Sequence, residues 1–203
     1  MRPSTFILGF HGCDAETGER ILAGKDHVSI STNSHDWLGT GAYFWENSPQ
    51  RAFAWAEMVK RNPQHFRHRI HTPCVIGAVI DPGDCLDLMG AESLGELRDS
   101  HRLLEVHLDR LSMPLPVNEA GFSGDLDLVK RHLDCAVIIF AHSLRGQEQL
   151  PSYDTVRGAF PEGRPLYAGA RIMESTHVQI CVRHPQRSIR GYFRPLPARG
   201  PLA

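Results

Sequence analysis

Two apolar segments punctuated by glycine constrain this chain most: Phe6-Ile7-Leu8-Gly9-Phe10-His11-Gly12 and Leu38-Gly39-Thr40-Gly41-Ala42-Tyr43-Phe44-Trp45. Each contains an unbroken apolar run of the kind a buried strand needs. Each also sets a chemically useful side chain, His11 or Tyr43, close to glycine. Where a Cβ is missing, backbone can approach another group closely. A third strand of the same set is expected near the C-terminus, and Thr176-His177-Val178-Gln179-Ile180-Cys181-Val182 is the candidate.

The 203 residues fit one globular domain, read as 1–195, with a flexible tail over 196–203 that holds two prolines. A hydrophobic fraction of 41% is enough for a core. No stretch approaches the length of a membrane-spanning helix, so a membrane partner is not expected. Met1-Arg2-Pro3-Ser4-Thr5 lacks a signal-peptide pattern, and the cytoplasm is the expected compartment. Export by machinery that reads no such signal stays open. The five cysteines are an odd number with no close pair in sequence, and Cys74, Cys135 and Cys181 in apolar runs read as buried, reduced thiols. A net charge of −1 gives no global field toward nucleic acid or membrane, while 12 histidines make the charge sensitive to mild acid.

Along the chain, a strand over 5–11 is expected first. A helix then follows, capped by Asp14, carrying Ile21 and Leu22 and stopping at Gly24. Residues 26–40 are polar and glycine-containing, as in a loop over a cleft. A second strand covers 42–46. Ser48-Pro49 opens a helix whose apolar face is Ala52, Trp55, Ala56 and Val59. A strand over 74–80 ends in the turn sequence Asp81-Pro82-Gly83-Asp84. The pattern over 91–112 is an amphipathic helix with Leu94, Leu97, Leu104, Leu108 and Leu111 on one side. A short helix near 125–133 and a strand over 135–140 are expected next. In 143–175, rich in Gly, Pro and polar groups, only 167–172 reads as ordered. Strands over 177–183 and 189–193 close an α+β pattern without regular βαβ alternation.

In their order and spacing, His11-Gly12, the helix with Ile21-Leu22, and Gly39-Thr40-Gly41-Ala42-Tyr43-Phe44 resemble the ADP-ribosyltransferase superfamily. Within it they are similar to the branch of poly(ADP-ribose) polymerases and diphtheria-type toxins. The alanine- and aromatic-bearing helix that comes next in that branch is matched by Ser48-Pro49-Gln50-Arg51-Ala52-Phe53-Ala54-Trp55-Ala56. The resemblance implies an α+β fold with a split, mixed or antiparallel sheet and inserted helices, NAD as co-substrate and no metal. It implies that His11 hydrogen-bonds a ribose hydroxyl of the adenosine half. The Gly12 backbone would grip the carboxamide beside Gly41, and Tyr43 would stack on the nicotinamide ring. Phe53 or Trp55 would supply the other face of that sandwich. Nicotinamide in NAD is already a cationic leaving group, so catalysis consists of holding the dinucleotide bent and stabilising an oxocarbenium-like ribose.

The third position of that branch is usually glutamate, and here it falls on Gln179, which hydrogen-bonds but carries no charge. Polymer elongation is therefore not expected. Glu174 on the preceding loop could bring a carboxylate into the site, and Gln179 could equally be the outward residue of a strand. Arg157 and Glu162 fall where such enzymes choose their acceptor, though a structural salt bridge is the other reading of each. The implied function is NAD-dependent mono-ADP-ribosylation of a protein or nucleic-acid acceptor by a bacterial toxin or effector, with a cognate antitoxin or immunity protein among its partners. The alternatives are an NAD glycohydrolase, a silent NAD- or ADP-ribose-binding module, and a nucleic-acid-binding domain using the basic stretch 60–71. His65, His68 and His71 in that stretch have the spacing for zinc. Their arginine neighbours and missing acid or cysteine partners instead favour a solvated basic edge that contacts phosphates.

Overall fold

A computed structural model of the chain describes residues 5–66, 68–121 and 127–196. Most of the tail expected over 196–203, and part of the helix expected near 125–133, lie outside the described residues. Strand β1 (Ile7–Asp14) leads into helix α1 (Ala15–Leu22), whose first turn is capped by the Asp14 carboxylate accepting from Glu16 N–H. Then come β2 (Ala42–Glu46), α2 (Pro49–Arg61), β3 (Pro73–Ile80), β4 (Cys85–Asp87) and α3 (Ala91–Arg110). The second half supplies α4 (His132–Gln147), β5 (Thr155–Phe160), β6 (His177–Val182), α5 (Pro185–Ser188) and β7 (Ile189–Phe193).

Among the described residues the strands form one seven-stranded mixed sheet in the order β4-β5-β6-β2-β1-β3-β7, parallel only between β4 and β5. The α+β class read from the sequence is the class of the fold. Period-two alternation sends each strand's side chains to opposite faces. Phe44, Ile76, Ala78, Ile80, Ile180 and Val182 pack on one face with Ile21 of α1. The other face is shared: Phe10 and Trp45 pack on Ala52 of α2, while Val156 and Cys181 pack on Ile138 of α4. Each fully buried side chain of this kind, such as Phe44, contributes roughly 1.5–3 kcal/mol.

Several elements differ from the sequence reading. β1 runs past His11 to Asp14, because Cys13 and Asp14 keep their register with Cys74 and Pro73. His11 is thus within the strand, not at its end. The apolar run at 135–140 lies inside α4, where Cys135, Val137, Ile138 and Ala141 are the buried set and no breaker interrupts the turns. Asn118 Oδ1 accepts from the Leu133 and Asp134 N–H groups and caps that helix start. β4 and β5 were hidden, the first by its shortness and the second by Arg157 and Gly158 within its run. Residues 167–172 form no regular element, and Tyr167 and Ile172 are exposed. In α3, Leu104 is buried while Leu94 is exposed, as is Leu111 just past the helix end.

Candidate active site

The sheet order sets β6, β2 and β1 side by side, and so brings Gln179, Tyr43 and His11 onto three adjacent strands. β1 and β2 pair only at Gly9 with Glu46 and Phe10 with Trp45. Beyond that point their ladder stops, and the His11 Nδ1 bonds the Tyr43 carbonyl at 2.9 Å instead. The carbonyl can only accept, so the neutral ring carries its proton on Nδ1 and leaves Nε2 as the acceptor. Burial lowers the His11 imidazole below its ordinary value, opposed by that same carbonyl contact. The ring lies 5.8 Å from Phe44 and 6.3 Å from Trp55, centroid to centroid.

Tyr43 stands directly opposite Cys181, and Trp45 opposite Gln179, across the β2–β6 ladder. These four side chains share the sheet face covered by α2 and α4. The Tyr43 hydroxyl donates to the Gly39 carbonyl at 2.7 Å and accepts from Leu38 N–H at 3.1 Å, tying the strand to the loop before it. Burial, with the nearby Cys181 and Asp36, pushes the phenol far above its ordinary value, so it stays neutral. Gln179 Oε1 accepts from the Trp37 indole N–H at 2.7 Å. Trp37 in turn packs on Phe160, with ring centroids 5.0 Å apart.

Both glycines expected at the ligand have a packing cause. A Cβ on Gly12 would sit 2.1 Å from the Ala52 carbonyl oxygen of α2. One on Gly41 would sit 2.4 Å from Cys181 Sγ. Trp55 of α2 contacts Trp45 at 5.8 Å as well as His11, while Phe53 points outward and is exposed.

Of the acceptor-side candidates, Arg157 makes a bidentate pair with Glu46 at 2.5 and 2.9 Å and reaches Asp87 at 3.1 Å. It stands opposite Ile180, hence on the sheet face away from Gln179. Glu174 pairs with Arg164 at 3.4 Å within its own loop. Glu162 lies closer to the site. It bonds Arg51 at 2.7 Å and stands 3.7 Å from the His177 Nδ1.

Arg51, His177, Trp45 and Trp37 were missed as site residues. For His177 the available signal was its position two residues before Gln179 on one strand, which puts both side chains on one face. The His177 Nδ1 bonds the Ser175 carbonyl at 2.8 Å. Burial first, and Arg51 as a lesser cause, lower its imidazole, with the Ser175 carbonyl opposing. Its Nε2, the Trp45 Nε1 and the Arg51 Nε are buried and have no protein partner among the described residues. Buried polar atoms are seldom left that way, so this corner of the site suits a small polar guest or water.

An open groove of about 440 Å³ runs between α3, α4 and the end of β5, and meets the site through Trp37 and through Phe160, whose ring lies 5.5 Å from His177. Among the described residues no group of three or more His, Cys, Asp or Glu is placed to hold a metal ion. No described helix is long and apolar enough to cross a membrane. Comparison with protein-family models, with curated proteins and with solved structures finds no match.

Proposed function

We propose that the chain is an NAD-dependent mono-ADP-ribosyltransferase that cleaves the nicotinamide–ribose bond and passes ADP-ribose to a protein or nucleic-acid acceptor. The observation that carries this reading is the placement of His11 where β1 and β2 part, bonded to the Tyr43 carbonyl, with Gln179 two strands away on β6. In this reading the neutral His11 presents Nε2 to a ribose hydroxyl. The Tyr43 ring, held by its hydroxyl, offers a face to nicotinamide, and Trp55 lies beside His11, 6.3 Å between ring centroids. Gln179 supplies a hydrogen bond to the nicotinamide ribose but no charge, so the ribose cation is stabilised less than a carboxylate would achieve. That limit favours slow, single transfers over polymer growth. The α+β sheet with its parted β1 and β2 is consistent with the fold of that superfamily. A toxin or effector role in the cytoplasm, with an antitoxin or immunity partner, belongs to the same reading.

One observation favours a second reading, an NAD- or ADP-ribose-binding module without turnover: Gln179 is uncharged and its oxygen is already engaged by Trp37. Nicotinamide release from NAD separates the two. Release by the wild type that falls on the order of 10-fold or more in Tyr43→Ala and His11→Ala supports the enzyme. Tight NAD binding without any release identifies the module. Mass spectrometry of a cell lysate incubated with labelled NAD then distinguishes a macromolecular acceptor from free ADP-ribose, the product of a glycohydrolase.

A further inference from the structure

Cys13 of β1 and Cys74 of β3 face each other in direct register, with Sγ atoms 3.5 Å apart. On the same ladder, Ala15 N–H donates to the Thr72 carbonyl at 2.8 Å. Alternation from that bond makes Cys13 and Cys74 a hydrogen-bonded antiparallel pair, whose Cα atoms are about 5.5 Å apart. Bridged cysteines have Cα atoms roughly 4.4–6.8 Å apart, so the backbone separation of this pair lies within the disulfide range. Helix α1 packs over the pair at Gly18. A Cβ on Gly18 would lie 2.8 Å from Cys74 Sγ and 3.5 Å from Cys13 Sγ.

The two thiols are not equivalent. Cys13 is buried, while Cys74 keeps partial access to solvent. Across their 3.5 Å contact either thiol can donate its S–H to the other. Burial disfavours the charged form of Cys13. Cys74 is therefore the residue an oxidant reaches first, and its resolving partner is already in contact.

We propose that Cys13 and Cys74 form a redox-active dithiol that a hydroperoxide converts into a disulfide between β1 and β3. The Cys74 thiolate attacks one peroxide oxygen and the O–O bond breaks. The leaving oxygen takes a proton, giving an alcohol, or water from hydrogen peroxide, and Cys74 becomes a sulfenic acid. The Cys13 sulfur then displaces the sulfenic oxygen, which leaves as water with the Cys13 proton. Two thiols are oxidised and one peroxide is reduced. The closed loop encloses α1, β2 and α2, and with them Tyr43 and Trp55.

The test treats the reduced full chain with hydrogen peroxide, followed by intact mass, a non-reducing peptide map and thermal melting. A mass loss of ~2 Da, a linked peptide holding Cys13 and Cys74, and a melting temperature raised by roughly 5–10 °C are expected, all reversed by a thiol reductant. In Cys13→Ser the reaction should stop at oxygen adducts on Cys74, and Cys85→Ser should leave the cross-link intact. The proposal is overturned if treated wild type still alkylates at both Cys13 and Cys74, or if its cross-link joins other cysteines. The wild-type peptide map decides the matter even where a serine variant fails to fold.

Discussion

The indole N–H of Trp37 donates to Gln179 Oε1 at 2.7 Å, joining a residue of the loop before β2 to a residue of β6. The bond fixes which way the amide points: Oε1 is turned to Trp37, and the amide NH₂ is what remains to meet a ligand. Trp37 also packs against the missing Cβ of Gly158, where an added carbon would lie 2.9 Å from the ring. The loop and β5 therefore hold the indole, and the indole holds the glutamine.

Gln179→Glu tests the position directly. A carboxylate accepts from the Trp37 N–H at least as well as an amide, so the variant should fold with a melting temperature close to wild type. Under the transferase reading its charge should keep or raise nicotinamide release. A folded but inactive Gln179→Glu would count against that assignment. Trp37→Phe leaves Oε1 unpaired in a half-buried site and should cost about 1–3 kcal/mol in urea unfolding.

The parts of this site legible in the sequence were those carried by local pattern. The apolar runs around His11, Tyr43 and Gln179 announce strands, and Asp14 and Ser48-Pro49 announce helix starts. The adjacency of the three strands is a long-range fact that no local pattern encodes. The run at Cys135–Phe140 has strand-like composition, and only its packing against β5 and β6 through Ile138 decides for a helix. The Trp37 to Gln179 bond spans most of the chain, so an indole in a polar loop gave no sign of its partner.

Gly12 and Gly95 should respond to alanine in opposite directions. At Gly12 the new Cβ would meet the Ala52 carbonyl oxygen at 2.1 Å and Ala56 Cβ at 3.1 Å, and backbone cannot swing aside as a side chain can. Gly12→Ala is expected to destabilise by about 2–3 kcal/mol. Within α3, a Cβ on Gly95 meets nothing within 4 Å. Gly95→Ala there should stabilise by roughly 0.5–1 kcal/mol, because alanine is the better helix former. Chemical denaturation of the two variants checks both signs.

The Arg157–Glu46 pair carries a structural prediction that is separate from any acceptor role. The side chains are 20% and 14% exposed, so solvent screens the pair only in part. Arg157→Met strands the Glu46 carboxylate and should cost about 1–3 kcal/mol. Adding Glu46→Gln to it should recover part of that loss, giving a non-zero coupling in the double-mutant cycle. Equal and additive losses would mean that the pair is only a surface contact.

His142 on α4 predicts how stability depends on pH. Both ring nitrogens are buried without a protein partner among the described residues. Burial first, and then Arg183, Arg145 and His184, push the imidazole down to about 3, while Tyr153 packs edge-on 6.0 Å away. In the unfolded chain an ordinary histidine titrates near 6.5. Between about pH 3 and 6.5 the unfolded state therefore binds the extra proton, and the folded state loses stability as pH falls through that window. The contribution approaches about 1.4 kcal/mol per pH unit for this one group. His142→Leu removes the titration and keeps the ring's volume apolar. Urea midpoints measured from pH 7 to 5 should fall less steeply in that variant than in wild type. Parallel slopes would show that His142 takes up its proton without unfolding the chain around it.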